Sequence, residues 1–207
     1  MDTHYATAGC GSMIVEAAYA EAGLPLTIID VPWEETGWDS PQLKALNPLG
    51  QVPTLVLADG TVMTESAAIL LHVADVAPKA GLAPPPGDPL RPHFLRWLFM
   101  FGGPVYATFT YGDRPERWVG EGQAGQKLKA TTNAHRAMLL RHAEAACGSP
   151  WFLGGRFSAI DLQLWPLTYW RPGKDWFDRE APKLAAVRDH VWERPWARGI
   201  AARNDFG

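Results

Sequence analysis

Hydrophobic and polar positions along this chain follow one rhythm in its first third and another afterwards. Thr3 to Ala6 reads as a short strand, and Thr7 to Gly11 as a loop of small residues. Ser12 is placed to cap a helix running to about Ala22, with Gly23 as its stop. Ile14, Ala17, Ala18 and Ala22 supply its buried face. Leu26 to Val31 is almost continuously apolar, the pattern of a strand covered on both faces. Strand, helix, strand predicts a βαβ unit with a right-handed crossover. A loop carrying Trp33 and Trp38 follows, then a short helix Pro41–Leu46 capped by Ser40, with proline in the tolerated first position. Thr54 to Leu57 and Thr61 to Met63 are short runs joined through Asp59-Gly60, a two-residue hairpin signal. From Glu65 to Ala77 the period becomes helical, with Ile69, Leu70 and Val73 on one stripe.

Beyond that helix the strand signals stop. Residues 78–88 contain Pro84-Pro85-Pro86-Gly87 and little periodicity, which marks a linker. Asp88-Pro89 opens a long helix to about Thr108, with a kink expected at Gly102-Gly103-Pro104. Tyr111 to Gly122 reads as a loop and Gln123 to Cys147 as a long amphipathic helix. Ser158 and Asp161 form a capping box that opens a helix to about Trp170. Shorter helices are expected over 182–192 and 195–203. The fold class is therefore α/β plus all-α. A βαβαββα domain spans 1–77, a linker spans 78–88, and an all-helical domain spans 89–207.

Composition narrows the function. The chain has 207 residues, 47% of them hydrophobic and 20% charged, which suits a globular fold. A net charge of −3 with no basic cluster argues against nucleic acid as a partner. No window reaches about 18 uninterrupted apolar residues, so no membrane span is expected, and the first residues do not read as a signal peptide. Cys10 and Cys147 are too few for a disulfide framework, so a reducing, cytoplasmic setting is the expectation. His135 and His142 lie seven apart on one helix without a third ligand, so no metal is expected. No phosphate-binding loop is present.

The stretch from Asn47 to Ser66 carries most of the functional signal. Val52-Pro53 stands directly before a strand, where proline is confined to the start or the edge. Such an X-Pro bond is a candidate cis peptide, leaving the Val52 N–H and C=O turned outward. Together, Asn47-Pro48-Leu49-Gly50-Gln51-Val52-Pro53, Glu65-Ser66 at the third helix and Ser158-Ala159-Ile160-Asp161 at a later one resemble the glutathione transferase family. The resemblance covers essentially the whole chain and is nearest to the bacterial beta-like class, with an atypical catalytic loop. It implies a thioredoxin-like N-terminal domain that binds glutathione as co-substrate. It also implies a helical domain that takes a small hydrophobic electrophile, and a homodimer. Under it, Gln51, Val52 and Pro53 hold the peptide part of glutathione. Glu65 faces the γ-glutamyl ammonium, and Ser66, at a helix N-terminus, faces the γ-glutamyl carboxylate.

The group that stabilises the thiol is left open among Cys10, Ser12 and Tyr5, with Cys10 ranked first. Each has a structural alternative: an inert buried thiol, a helix cap and a core-facing strand residue. In the helical domain Tyr106 stands where the beta-like class has a histidine, a departure from the class, and Trp170 is a pocket-lining candidate. The leading function is conjugation of glutathione to an electrophile. Glutathione-dependent thiol exchange through Cys10 and non-catalytic ligand binding are the alternatives. Cys10-Gly11-Ser12-Met13 lacks a second cysteine, so no internal dithiol cycle is expected.

Overall fold

The computed structural model describes residues 1–33 and 40–206; Trp38 lies outside them. Two compact units are present, one formed by 1–88 together with 191–207, the other by 89–190. The helical part thus divides differently from the boundary read in the sequence, because the last seventeen residues pack with the first unit.

The first unit is a thioredoxin-like sheet with helices. Strands β1 (Asp2–Ala6), β2 (Leu26–Asp30), β3 (Thr54–Val56) and β4 (Val62–Met63) lie in the order β2-β1-β3-β4. β1 runs parallel to β2 and antiparallel to β3, and β3 pairs antiparallel with β4. Helices α1 (Met13–Ala22), α2 (Pro41–Leu46) and α3 (Ser66–Val76) complete the βαβαββα pattern. Side chains on a strand alternate between faces, and β1 uses this to serve two layers. Tyr5 joins Val31 and the α2 residue Leu43 in a cluster with Ile29, Leu46, Val52 and Val56. His4 and Ala6, also fully buried, belong to the opposite face of the strand. α1 ends as its sequence predicts: Gly23 adopts φ 64°, and its N–H and that of Leu24 return to Ala20 and Tyr19.

β2 departs from expectation. Its apolar run suggested burial on both faces, yet it is an edge strand with four of its five residues only half-buried. Continuous apolar runs do not distinguish a central strand from an edge that later chain must cover. Here α11 (Ala197–Arg203) bonds its end: the Arg203 guanidinium grips the Asp30 carboxylate at 2.6 and 3.2 Å and Glu16 of α1 at 3.0 Å. Trp196 and Arg194 likewise hold Glu21 of α1 at 2.8 and 3.0 Å.

In the second unit, α4 (Arg91–Met100) passes through a π-helical turn, Phe101–Val105, into α5 (Tyr106–Asp113). The expected kink is thus a widened turn that accommodates Pro104, which has no N–H to give. The expected 111–122 loop is partly helical: α5 reaches Asp113, and α6 occupies Glu116–Val119. α7 (Gln123–Ala146) packs along α5, and α8 (Ala159–Leu167) is buried at every position. α9 (Lys174–Glu180), which the sequence pattern did not reveal, precedes α10 (Pro182–Trp192). Trp97 and Phe101 pack on Phe152 with ring centroids 5.1 and 5.7 Å apart.

Asp161 ties the start of α8 to the chain before it. Fully buried, its carboxylate accepts the N–H of Ser158 at 2.7 Å and that of Phe152 at 2.8 Å. Asp161→Ala orphans both donors in the interior, and we expect it to destabilise the protein by about 3 kcal/mol. Urea unfolding checks this; a loss under about 1 kcal/mol contradicts the assignment.

Candidate functional site

The turn from β1 into α1 is held by three polar side chains. Ser12 Oγ accepts the Thr7 N–H at 3.0 Å and donates to the Thr7 carbonyl at 2.9 Å. The Thr7 hydroxyl donates to the Val31 carbonyl at 2.6 Å. His4 Nε2 meets the Ser12 carbonyl at 3.0 Å and therefore carries the proton there. Ser12 is fully buried and makes no helix-capping bond, so its hydroxyl folds the loop back onto the strand instead of capping α1. Tyr5 is 6% exposed in its core cluster, and its hydroxyl accepts from Gln42 at 3.3 Å. Of the three thiol-facing candidates, only Cys10 is part-exposed.

Burial pushes the Cys10 thiol up to about 11, so it is protonated at neutral pH. Beside it, the N–H groups of Gly11 and Ser12 have no acceptor among the described residues. They sit at the positive end of the α1 dipole, a place that favours an incoming anion. This end of the chain also touches α11's exit: a Cβ on Gly9, at φ 73°, would stand 3.7 Å from the Asn204 carbonyl.

The second cluster is built around Asn47. Its amide Nδ2 donates to the Gln51 carbonyl at 3.1 Å and to Thr54 Oγ1 at 3.0 Å, and its Oδ1 accepts the Leu49 N–H at 3.1 Å. Gly50, at φ 59°, returns its N–H to the Asn47 carbonyl at 2.8 Å. These bonds consume the Gln51 carbonyl and leave the exposed Gln51 side chain facing solvent. The Val52-Pro53 bond is cis, and the Val52 N–H and C=O have no partner among the described residues.

Glu65 is the backbone outlier of the site. It adopts φ 63° and ψ 106°, a region that glycine tolerates and a glutamate enters only at a cost of about 1–3 kcal/mol. Its side chain is exposed and makes no capping bond. Ser66 follows as the first residue of α3 and is 8% exposed. A strained, charged, solvent-facing residue at a helix N-terminus calls for a role that strain-free capping would not need.

In the second unit the structure brings Tyr106 and Trp170 together, edge to face at 5.9 Å. Phe109, not singled out from the sequence, completes a half-open aromatic face, 5.7 Å from Trp170 and 6.3 Å from Tyr106. Arg136 of α7 lies directly behind it, its guanidinium carbon 3.7 Å from the Phe109 ring centroid. Arg136 is missed by motif reading. Its signal was a cation on the apolar stripe with Leu139, Leu140 and Ala143, all buried. Burial lowers it to about 10, so it is still charged at neutral pH. Trp33 is 47% exposed.

A family model described as glutathione S-transferase, N-terminal domain, matches residues 12–76. The uncharacterized GST-like protein YncG of Escherichia coli (strain K12) is 36% identical over 204 residues, covering 98% of both chains. Glutathione S-transferase GstA of Escherichia coli O157:H7 is 28% identical over 189 residues, 90% of each. A solved glutathione transferase homolog from Sulfitobacter with bound glutathione matches with a TM-score of 0.84 at 27% identity, over 98% of this chain and 97% of that one. The chain belongs to the glutathione S-transferase family.

Burial holds His4 neutral, lowering it from 6.5 to about 4. Between those values the unfolded chain takes up a proton that the folded one refuses. Its contribution is complete above pH 6.5 and is lost as pH falls toward 4, by about 3 kcal/mol. Urea midpoints across that window should fall less steeply in His4→Gln than in the parent; parallel slopes contradict it. For Cys10, alkylation by iodoacetamide at pH 7, followed by peptide mass spectrometry, should run about a hundredfold slower than for a free thiol. A rate matching free cysteine would mean that burial leaves the Cys10 thiol at the ordinary value, and contradicts the assignment.

Proposed function

We propose that this protein is a glutathione transferase: it binds glutathione, stabilises its thiolate and directs it at a small hydrophobic electrophile. The single observation that carries the reading is Glu65 at φ 63°, exposed and uncapped, immediately before the buried Ser66 at the start of α3. Glutathione explains that arrangement. Its γ-glutamyl end presents an ammonium and a carboxylate side by side. The Glu65 carboxylate takes the ammonium, while the Ser66 hydroxyl and the α3 N-terminus take the carboxylate. Val52 offers its unpaired N–H and C=O to the cysteinyl backbone, in the manner of an added strand. Gln51 and Pro53 border that segment. The sulfur then falls to the α1 turn, where the Gly11 and Ser12 N–H groups favour its anionic form.

Cys10 acts in this reading as a neutral donor to the thiolate, since burial keeps it protonated. The same burial weighs against thiol exchange, which needs a thiolate at Cys10. Ser12 and Tyr5 contribute by holding the turn and the strand under it. The Tyr106–Trp170 face takes the electrophile. The bond formed is carbon–sulfur; the leaving group departs with the electron pair of the bond it breaks. We further propose that the protein works as a homodimer in the reducing cytoplasm, as the family resemblance suggests, with no metal.

The test is binding first and chemistry second. Calorimetry should show glutathione binding to the parent, and Ser66→Ala should weaken it about tenfold while leaving the unfolding midpoint in place. Ultraviolet titration of the bound thiol should place its pKa below the free value of about 8.5. Absence of glutathione binding overturns the whole proposal. Binding with an unshifted thiol overturns conjugation and leaves a glutathione-binding protein.

A further inference from the structure

Arg136 is an unusual residue to find in the interior of the helical unit. It is 1% exposed, and every bond it makes goes to a neutral oxygen. Nε donates to Thr108 Oγ1 at 2.8 Å, one terminal nitrogen to the Thr108 carbonyl at 3.1 Å and the other to the Arg171 carbonyl at 3.2 Å. No carboxylate pairs with it among the described residues; Asp113, on the same helix as Thr108, is taken by Arg171. A buried charge without a counter-charge is expensive. Packing alone would be served by a neutral side chain of similar size. The charge sits against the back of Phe109, whose ring shares a half-open face with Tyr106 and Trp170.

We propose that this face selects aromatic electrophiles that carry a carboxylate or a comparable anionic group. The counter-charge missing from the structure is the substrate's own. Arg136 touches no ligand: it is a positioning residue, acting through the Phe109 ring and through its field. In the low-dielectric wall of such a face, one fixed positive charge at this depth favours an anionic over a neutral ligand by about tenfold. The same field favours the negative charge that a thiolate delivers to an aromatic ring as it adds, before the leaving group departs. The proposal rests on the transferase reading for its chemistry but not for its binding preference, and the two can be tested apart.

The experiment uses a matched pair: a chloronitrobenzoate and the corresponding chloronitrobenzamide. In each, glutathione sulfur replaces chloride, which leaves with the bonding pair. The intact protein should show a kcat/KM for the benzoate about tenfold above that for the amide, after correction for their uncatalysed rates. Arg136→Met should bring that ratio to about one with the KM for glutathione unchanged, and Arg136→Lys should restore it. Thr108→Val, which removes a hydrogen bond and keeps the charge, should preserve the ratio. Calorimetric binding of nitrobenzoate and nitrobenzamide needs no reaction and gives the same ordering if conjugation fails altogether. A parent protein that binds and conjugates both compounds equally, or prefers the amide, overturns the proposal whether or not the Met variant folds. A ratio that collapses equally in Thr108→Val assigns Arg136 to packing and also overturns it.

Discussion

The structure depends on getting the chain from β1 into α1 with the buried Thr7 backbone paired. Buried polar groups are costly when orphaned, and Thr7 and Ser12 are buried at the two ends of this turn. Three side chains settle it. Ser12 gives the Thr7 backbone both a donor and an acceptor, Thr7 ties the turn to the end of β2, and His4 reaches from the strand to the first carbonyl of the helix. Because those groups consume one another, what is left pointing outward is backbone: the N–H pair at the head of α1, with a protonated thiol alongside. The side-chain bonds hold the turn from within, and the Gly11 and Ser12 N–H groups are the ones left out of them.

The segment from Asn47 to Ser66 follows the opposite logic. Around Asn47 the polar groups are again satisfied, which sets the loop before β3. At Glu65 the backbone holds a conformation it disfavours, and the side chain gains nothing from the protein in return. Arg136 shows the same imbalance in the helical unit, with a charge enclosed among neutral oxygens.

Much of this was legible in the sequence, and the failures have physical causes. Helix positions followed from periodicity and from strong punctuation: Gly23, Ser40-Pro41 and the Ser158–Asp161 pair each do locally what their chemistry predicts. The turn at Asn47–Gly50 and the cis Val52-Pro53 bond were readable because proline and glycine constrain the backbone directly. β2 was misjudged because burial of an edge strand depends on which later segment covers it. The roles of Ser12, Tyr5 and His4 were not readable because each is decided by partners that local pattern does not reveal. Ser12 could equally cap a helix or close a turn, and only the position of Thr7 decides between them. Arg136 was readable in principle, as a charge on an apolar stripe, but its aromatic neighbour Phe109 comes from another helix.

The return of the chain's last residues to its first unit affects how the protein is made. Arg203 binds Glu16 and Asp30, and Arg194 and Trp196 bind Glu21, across sequence separations of up to 187 residues. The sheet, synthesised before the helical unit, therefore waits with its edge strand half bare and the buried Glu16 lacking its cation until that unit has been made. Its completion is coupled to the synthesis of the segment that carries Arg194, Trp196 and Arg203. A chain released early would carry every residue of the proposed glutathione site yet lack the segment that closes the fold around it.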